Sequence, residues 1–153
     1  MPPKWLDDSE QRAWRNFITT LPDLMAAFEA DIAQHGLTMG DYEVLVFLSE
    51  ADDNRMRMCD LASSLRLSPS GLTRRLDGLA KAGWVDRASC SSDRRVMYAH
   101  LTDSGRAKMN DAAPDHVTSV RQHFLEPLGP RGVQQLGTLF DKVREHLQQP
   151  QPV

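Results

Sequence analysis

The chain has 153 residues, 41% of them hydrophobic and 25% charged, which is enough for a packed core and is the balance of an ordinary globular protein. Its apolar runs fall short of the roughly 20 residues of a membrane span, its N-terminus lacks the apolar stretch of a signal peptide, and two distant cysteines form no disulfide framework, so a reducing, cytoplasmic setting is expected. The net charge of −3 hides an uneven distribution: Arg55 to Lys108 holds eleven basic and five acidic residues, a net of +6, while the remainder carries −9.

A basic middle between acidic flanks fits a module that meets phosphate, carried on a body that phosphate repels. A cluster of solvated charges is the plainer alternative. Residues 7 to 35 read as one long helix, with Trp14, Phe17, Ile18, Leu21, Met25, Phe28 and Ile32 in one apolar stripe. Asp7 with Glu10, or Asp8 with Gln11, resembles a capping box. Gly36 supplies the stop, and Pro22 is expected to kink the helix. A stripe this long, with no nearby partner in sequence, suggests packing against a second chain as well as against its own domain.

A second helix begins after Thr38 as N-cap, with Tyr42, Leu45, Val46 and Leu48 on its buried face. Residues 51 to 55 break it as a polar loop, and Met56 to Met58 suit a short strand. A short helix follows over Asp60 to Leu65, and Arg66-Leu67 turns the chain. Ser68 is an N-cap and Pro69 suits the first helical position, where its missing N–H costs nothing. The helix they open buries Leu72, Leu76, Leu79 and Ala80 and ends at Gly83. Residues 84–88 and 96–101 read as two strands, and the seven residues Ser89 to Arg95 between them are too many for a tight turn. They are expected to project as a wing.

Thr102 caps a further helix with a weaker stripe and a bend at Pro114. Glu126 to Pro130 breaks the chain, and a last helix carries Val133, Leu136, Leu139, Phe140, Val143 and Leu147. The tail from Gln148 is expected to fray. The reading is mainly α with a small β-wing: a winged helix-turn-helix over 37–105, and helices 1–36 and 106–153 forming a dimerisation region, in one compact domain.

A helix-turn-helix lays the first turns of its second helix in the major groove, where outward residues must be small or hydrogen-bonding. Ser68, Ser70, Gly71, Thr73, Arg74 and Arg75 meet that need. Arginine can grip a guanine edge in bidentate fashion, while serine hydroxyls and helix N–H groups hold phosphate. Arg94 and Arg95 at the wing suit a narrow minor groove, with Asp93 beside them as an orienting ion partner. A mobile polar loop is the bland reading of the same residues.

The order Leu61-Ala62, Ser68-Pro69-Ser70, Thr73-Arg74, Leu79, Gly83-Trp84-Val85, Asp93-Arg94-Arg95, Leu101-Thr102 and Gly105 resembles the MarR family of bacterial transcriptional regulators, in particular its actinobacterial members. The likeness implies a homodimer with interlocked terminal helices. It also implies repression at a palindromic operator on double-stranded DNA, relieved by a small ligand. On its motif, Arg95 is the minor-groove arginine, Asp93 its orienting partner, and Ser70, Thr73 and Arg74 the base or phosphate contacts. Cys59 departs from the pattern, standing where the family usually has a Ser or Thr cap.

Trp14, Arg15, Phe28, His35 and Tyr42 could line a cleft for an aromatic or phenolic effector; the alternative is a dimer core with Arg15 on the surface. Cys90, in a basic wing, and Cys59, half-buried at a helix start, leave open a redox-responsive regulator. His116 and His123 are seven apart, wider than a metal prefers, so neither a metal nor a cofactor is expected. A winged-helix module that binds protein rather than DNA is a further alternative. No hydrolase triad or nucleotide loop points to an enzyme.

Overall fold

The computed structural model describes residues 3–89 and 95–149. Among them the order is α1 (Asp8–Ala33), α2 (Met39–Glu50), β1 (Arg55–Arg57), α3 (Met58–Ser64), α4 (Pro69–Lys81), β2 (Val85–Ser89), β3 (Met97–Leu101), α5 (Asp103–Val120) and α6 (Glu126–Gln148). The fold class is the one expected: mainly helical, with one antiparallel sheet in the order β1-β3-β2. The chain separates into two compact units, Glu29–His116 and Met1–Phe28 with Val117–Val153. Helices α1 and α5 each run from one unit into the other.

Unit Glu29–His116 is the winged helix. Its core joins Ile32 and Leu37, then Tyr42, Val44, Leu45 and Leu48 of α2, Leu61 and Ala62 of α3, Leu72, Leu76 and Leu79 of α4, Val85, Ala99 and Ala112. The unit takes in the end of α1 and the start of α5 because Ile32 and Ala112 belong to that core. On α2, Val44 is fully buried while Val46 is only partly so, the reverse of the expected face. The α2 helix is apolar almost all round, so spacing alone could not choose between the two valines. Ala80, expected inside, is likewise half-exposed.

Local signals set most of the boundaries. Glu10 N–H donates to Asp7 Oδ1 (2.8 Å) and Asp7 N–H to Glu10 Oε2 (2.9 Å), so the first of the two proposed capping boxes forms. Thr38 and Asp41 make the same reciprocal pair ahead of α2. Strand β1 begins one residue earlier than expected, and α3 begins at Met58, two residues earlier. Arg57 is therefore the cap residue of α3, and Cys59 lies inside its first turn. Cys59 is exposed rather than half-buried, so its sulfur is not asked to cap a helix.

Helix α1 continues through Pro22 and α5 through Pro114. The expected break at Glu126–Pro130 is narrower than a loop. Arg121–Leu125 form a π-helical turn that leads directly into α6, and the one non-helical residue there is Gly129, at φ 65°. In unit Met1–Phe28 with Val117–Val153 the Phe17 and Phe140 rings meet at 5.9 Å. Among the described residues no helix is long and apolar enough to cross a membrane.

Candidate nucleic-acid interface

Helix α4 is held by its buried leucines and presents the opposite side. Ser68 is extended, and its Oγ accepts from Gly71 N–H at 3.1 Å; Pro69 follows in the first turn. Leu72, Leu76 and Leu79 are at most 2% exposed and fix the rotation of the helix about its axis. That rotation leaves Ser68, Ser70, Thr73 and Arg74 exposed and together on the N-terminal half of one face. The hydroxyls have local partners: Ser70 Oγ lies 3.2 Å from Ser68 Oγ, and Thr73 Oγ1 donates to Pro69 O at 2.9 Å. Both keep acceptor lone pairs, and Thr73 also presents a methyl group. Gly71 contributes its N–H to the cap, and a Cβ there would press on Ser68 Oγ at 3.2 Å.

Arg75 is placed differently from Arg74. It is half-exposed, and its guanidinium lies over Gly40 in the first turn of α2. The two arginines are successive residues of one helix, about 100° apart, and the turn carries Arg75 from the exposed face toward α2.

The wing strands pair from Val85↔Leu101 to Ser89↔Met97. Arg95 is exposed just before β3. Asp93, Arg94 and Cys90 lie outside the described residues, so the expected Asp93–Arg95 pair does too. Arg87 on β2 bonds Asp77 on α4 at 2.8 Å, tying the wing's base to the helix. Two arginines that the sequence reading did not single out cluster on β1. Arg55 sits 5.3 Å from the Tyr98 ring centroid, and Arg57 Nε donates to Tyr98 Oη at 3.3 Å. That bond favours the charged guanidinium and raises its pKa. The available signal was alternation: Arg55 and Arg57 flank Met56 on one strand, which places both on the same face.

The base of the wing is pinned by Thr102. Its Oγ1 donates to Gly83 O (2.7 Å) and accepts from Gly105 N–H (2.9 Å), so one hydroxyl caps α5 and binds the turn after α4. Gly105 is buried against that turn, and a Cβ there would stand 2.1 Å from Trp84 O. The Leu-Thr-x-x-Gly spacing thus has a steric cause.

The residues proposed for an effector cleft divide between the units. Trp14 is exposed, 6.1 Å from Phe17 ring to ring, and Arg15 lines a shallow polar groove with Asp8, Gln11, Arg12 and Asn16. Phe28 is buried. In the winged unit His35 and Tyr42 both meet α5. His35 places Nδ1 3.2 Å from Asp111 Oδ2 and Nε2 2.9 Å from Asp115 Oδ2. Tyr42 packs on His116 with ring centroids 4.9 Å apart. Burial raises the Tyr42 pKa and lowers that of His116, each favouring its neutral form. The Cys59 Sγ lies 3.5 Å from Asp60 Oδ1.

A sequence model described as the MarR family matches residues 37–97. The HTH-type transcriptional repressor YetL of Bacillus subtilis (strain 168) is 30% identical over 114 residues, 72% of this chain and 68% of that protein. The crystal structure of AbsC, a MarR family transcriptional regulator from Streptomyces coelicolor, superposes with a TM-score of 0.88 at 42% identity, covering 95% of this chain and 98% of that one. Sco3205, a MarR family transcriptional regulator from the same organism solved in complex with DNA, gives a TM-score of 0.89 at 35% identity, covering 97% and 93%.

Proposed function

This chain belongs to the MarR family of bacterial transcriptional regulators, and we propose that it works as a homodimeric, sequence-specific repressor of a palindromic operator in the cytoplasm. The observation that carries the reading is the α4 face. Ser68, Ser70, Thr73 and Arg74 are gathered on the exposed side of a helix whose other side is locked into the core. Arg74 reads a base edge, the serines and Thr73 hold phosphate and neighbouring bases, and Arg95 with the wing residues Asp93 and Arg94 serves the minor groove. The DNA-bound structure of Sco3205, 35% identical, supports the same use of the fold here.

Dimerisation is supported by what α1 and α6 leave uncovered. Trp14, Phe17, Ile18, Leu21 and Met25 on α1 are all more than 40% exposed, as are Leu139, Phe140, Val143 and Leu147 on α6. Apolar surface on that scale is the mark of an interface rather than of a solvated helix. Two copies would carry two α4 helices to half-sites one helical turn apart, and a palindrome is what two-fold symmetry reads.

The test is titration of the promoter-proximal palindromes of its own gene with purified protein, followed by fluorescence anisotropy across a salt series. Specific binding with a steep negative salt slope supports the reading, since each neutralised phosphate contributes about −0.9 to that slope. No preference over a scrambled duplex refutes it and leaves a winged-helix module that binds protein.

A small aromatic or phenolic ligand is the proposed effector. Aromatic carboxylates are the probes, and an Arg15→Ala variant that still responds removes Arg15 from the site. Exposure of Cys59 favours one second reading, release by oxidation. Operator affinity unchanged by mild peroxide eliminates it.

A further inference from the structure

We propose that Arg75 is a positioning residue, seated in a notch that Gly40 leaves open, and that this seat sets the aim of the recognition helix. An ideal Cβ built on Gly40 falls 1.4 Å from one terminal guanidinium nitrogen of Arg75, 2.1 Å from Cζ and 2.6 Å from the other nitrogen. The guanidinium therefore occupies the volume that any other residue at position 40 would fill. The contact that directs it is the open backbone of Gly40.

The seat is itself well fixed. Gly40 is the second residue of α2, in a first turn closed by the Thr38–Asp41 capping box. Met39 N–H in the same turn donates to Glu29 Oε2 at 2.9 Å. A helix start held at three points is a firm stop for the tip of a long side chain. Arg75 leaves α4 between Arg74, on the exposed face, and Leu76, in the core. The leucines hold the inner side of α4; the Arg75 stem braces its flank against α2. A rotation of α4 by about 10° about its axis would carry the tip of Arg74, about 9 Å from that axis, by about 1.5 Å. Base readout tolerates little such error. In this arrangement Arg74 reads and Arg75 aims.

The inference rests on the DNA-reading role proposed above, and its tests separate the two. The first needs no DNA. In protein carrying ¹⁵N-arginine, the Nε–H signal of Arg75 should be ordered in the wild type and become as mobile as that of Arg74 in Gly40→Ala. The displaced group is the far end of a flexible side chain, so the fold should survive this substitution, which the far-UV circular dichroism and melting midpoint check. An Arg75 signal already as mobile as Arg74 in the wild type overturns the proposal.

The second test is a double-mutant cycle on operator affinity. Gly40→Ala and Arg75→Ala should each weaken binding about tenfold, and the double variant should be no weaker than either, because both remove one seat. The loss should fall on discrimination at the base pair that Arg74→Ala also relaxes, with the salt slope unchanged. Losses that multiply in the double variant, or a neutral Gly40→Ala beside a damaging Arg75→Ala, overturn the seat. A slope reduced by about one in Arg75→Ala assigns it to a phosphate, and lost discrimination at a base pair that Arg74→Ala leaves unchanged assigns it to a base of its own; either result overturns the proposal. Neutral substitutions at both positions overturn it as well.

Discussion

Gly105→Ala should destabilise the winged unit, although alanine is the better helix former. Gly105 lies in the first turn of α5, buried against the turn after α4. An added Cβ would sit 2.1 Å from Trp84 O and 2.9 Å from Leu101 Cδ1. The first neighbour is backbone and cannot swing aside. Restoring an ordinary carbon–oxygen contact needs a shift of about 1 Å, and overpacking of that kind costs about 1–3 kcal/mol. The shift would also stretch the Thr102 bonds to Gly83 O and Gly105 N–H, now 2.7 and 2.9 Å, and a lost cap adds about 1 kcal/mol. Helix propensity returns about 1 kcal/mol. The net is a loss of about 1–3 kcal/mol. Gly78→Ala is the control: it is also helical, exposed, and has nothing within 4 Å of its new methyl, so it should gain up to about 1 kcal/mol. Urea unfolding at one fixed protein concentration reads both variants. A Gly105→Ala midpoint at or above wild type would refute the steric argument.

Three further outcomes are expected. Arg95→Ala should weaken operator binding by about 1–3 kcal/mol, read by anisotropy at constant salt, and unchanged affinity would count against the wing assignment. Paired Leu139→Asp and Val143→Asp changes on the exposed side of α6 should shift the sedimentation coefficient to that of a monomer; a persistent dimer would move the interface elsewhere. His116 contributes a pH dependence of known sign. Burial lowers its folded pKa below the unfolded value of 6.5, so the unfolded chain binds its proton first as pH falls. The stability from keeping it neutral is present above 6.5 and is lost as pH drops below 6.5 toward the folded pKa. His116→Phe should flatten that part of the unfolding profile relative to wild type, and identical profiles would remove His116 as its source.

Much of the fold was legible because the signals are local. The Asp7–Glu10 and Thr38–Asp41 boxes, the Ser68-Pro69 start and the Thr102 cap each involve residues no more than three apart. The partners of such bonds are near in sequence, so reading them needs only spacing. The leucines of α4 were legible for a related reason: helical period fixes which side is buried once one side is strongly apolar. The period fails where a helix is apolar all round, as in α2, and there only packing chose Val44 over Val46.

The candidate site divides along the same line. That Ser70, Thr73 and Arg74 share a face follows from helix geometry, and the sequence alone determined it. That Arg75 turns away toward Gly40, 35 positions earlier, was decided by the docking of α4 against α2. Tertiary structure also brought His35 between Asp111 and Asp115, set Tyr98 against Arg55 and Arg57, and put Gly105 under the Trp84 carbonyl. None of these pairs has a periodic signature, because the partners meet only after strands and helices have been placed by their apolar sides. Local spacing determined which groups the candidate site contains; long-range packing decided where each of them points.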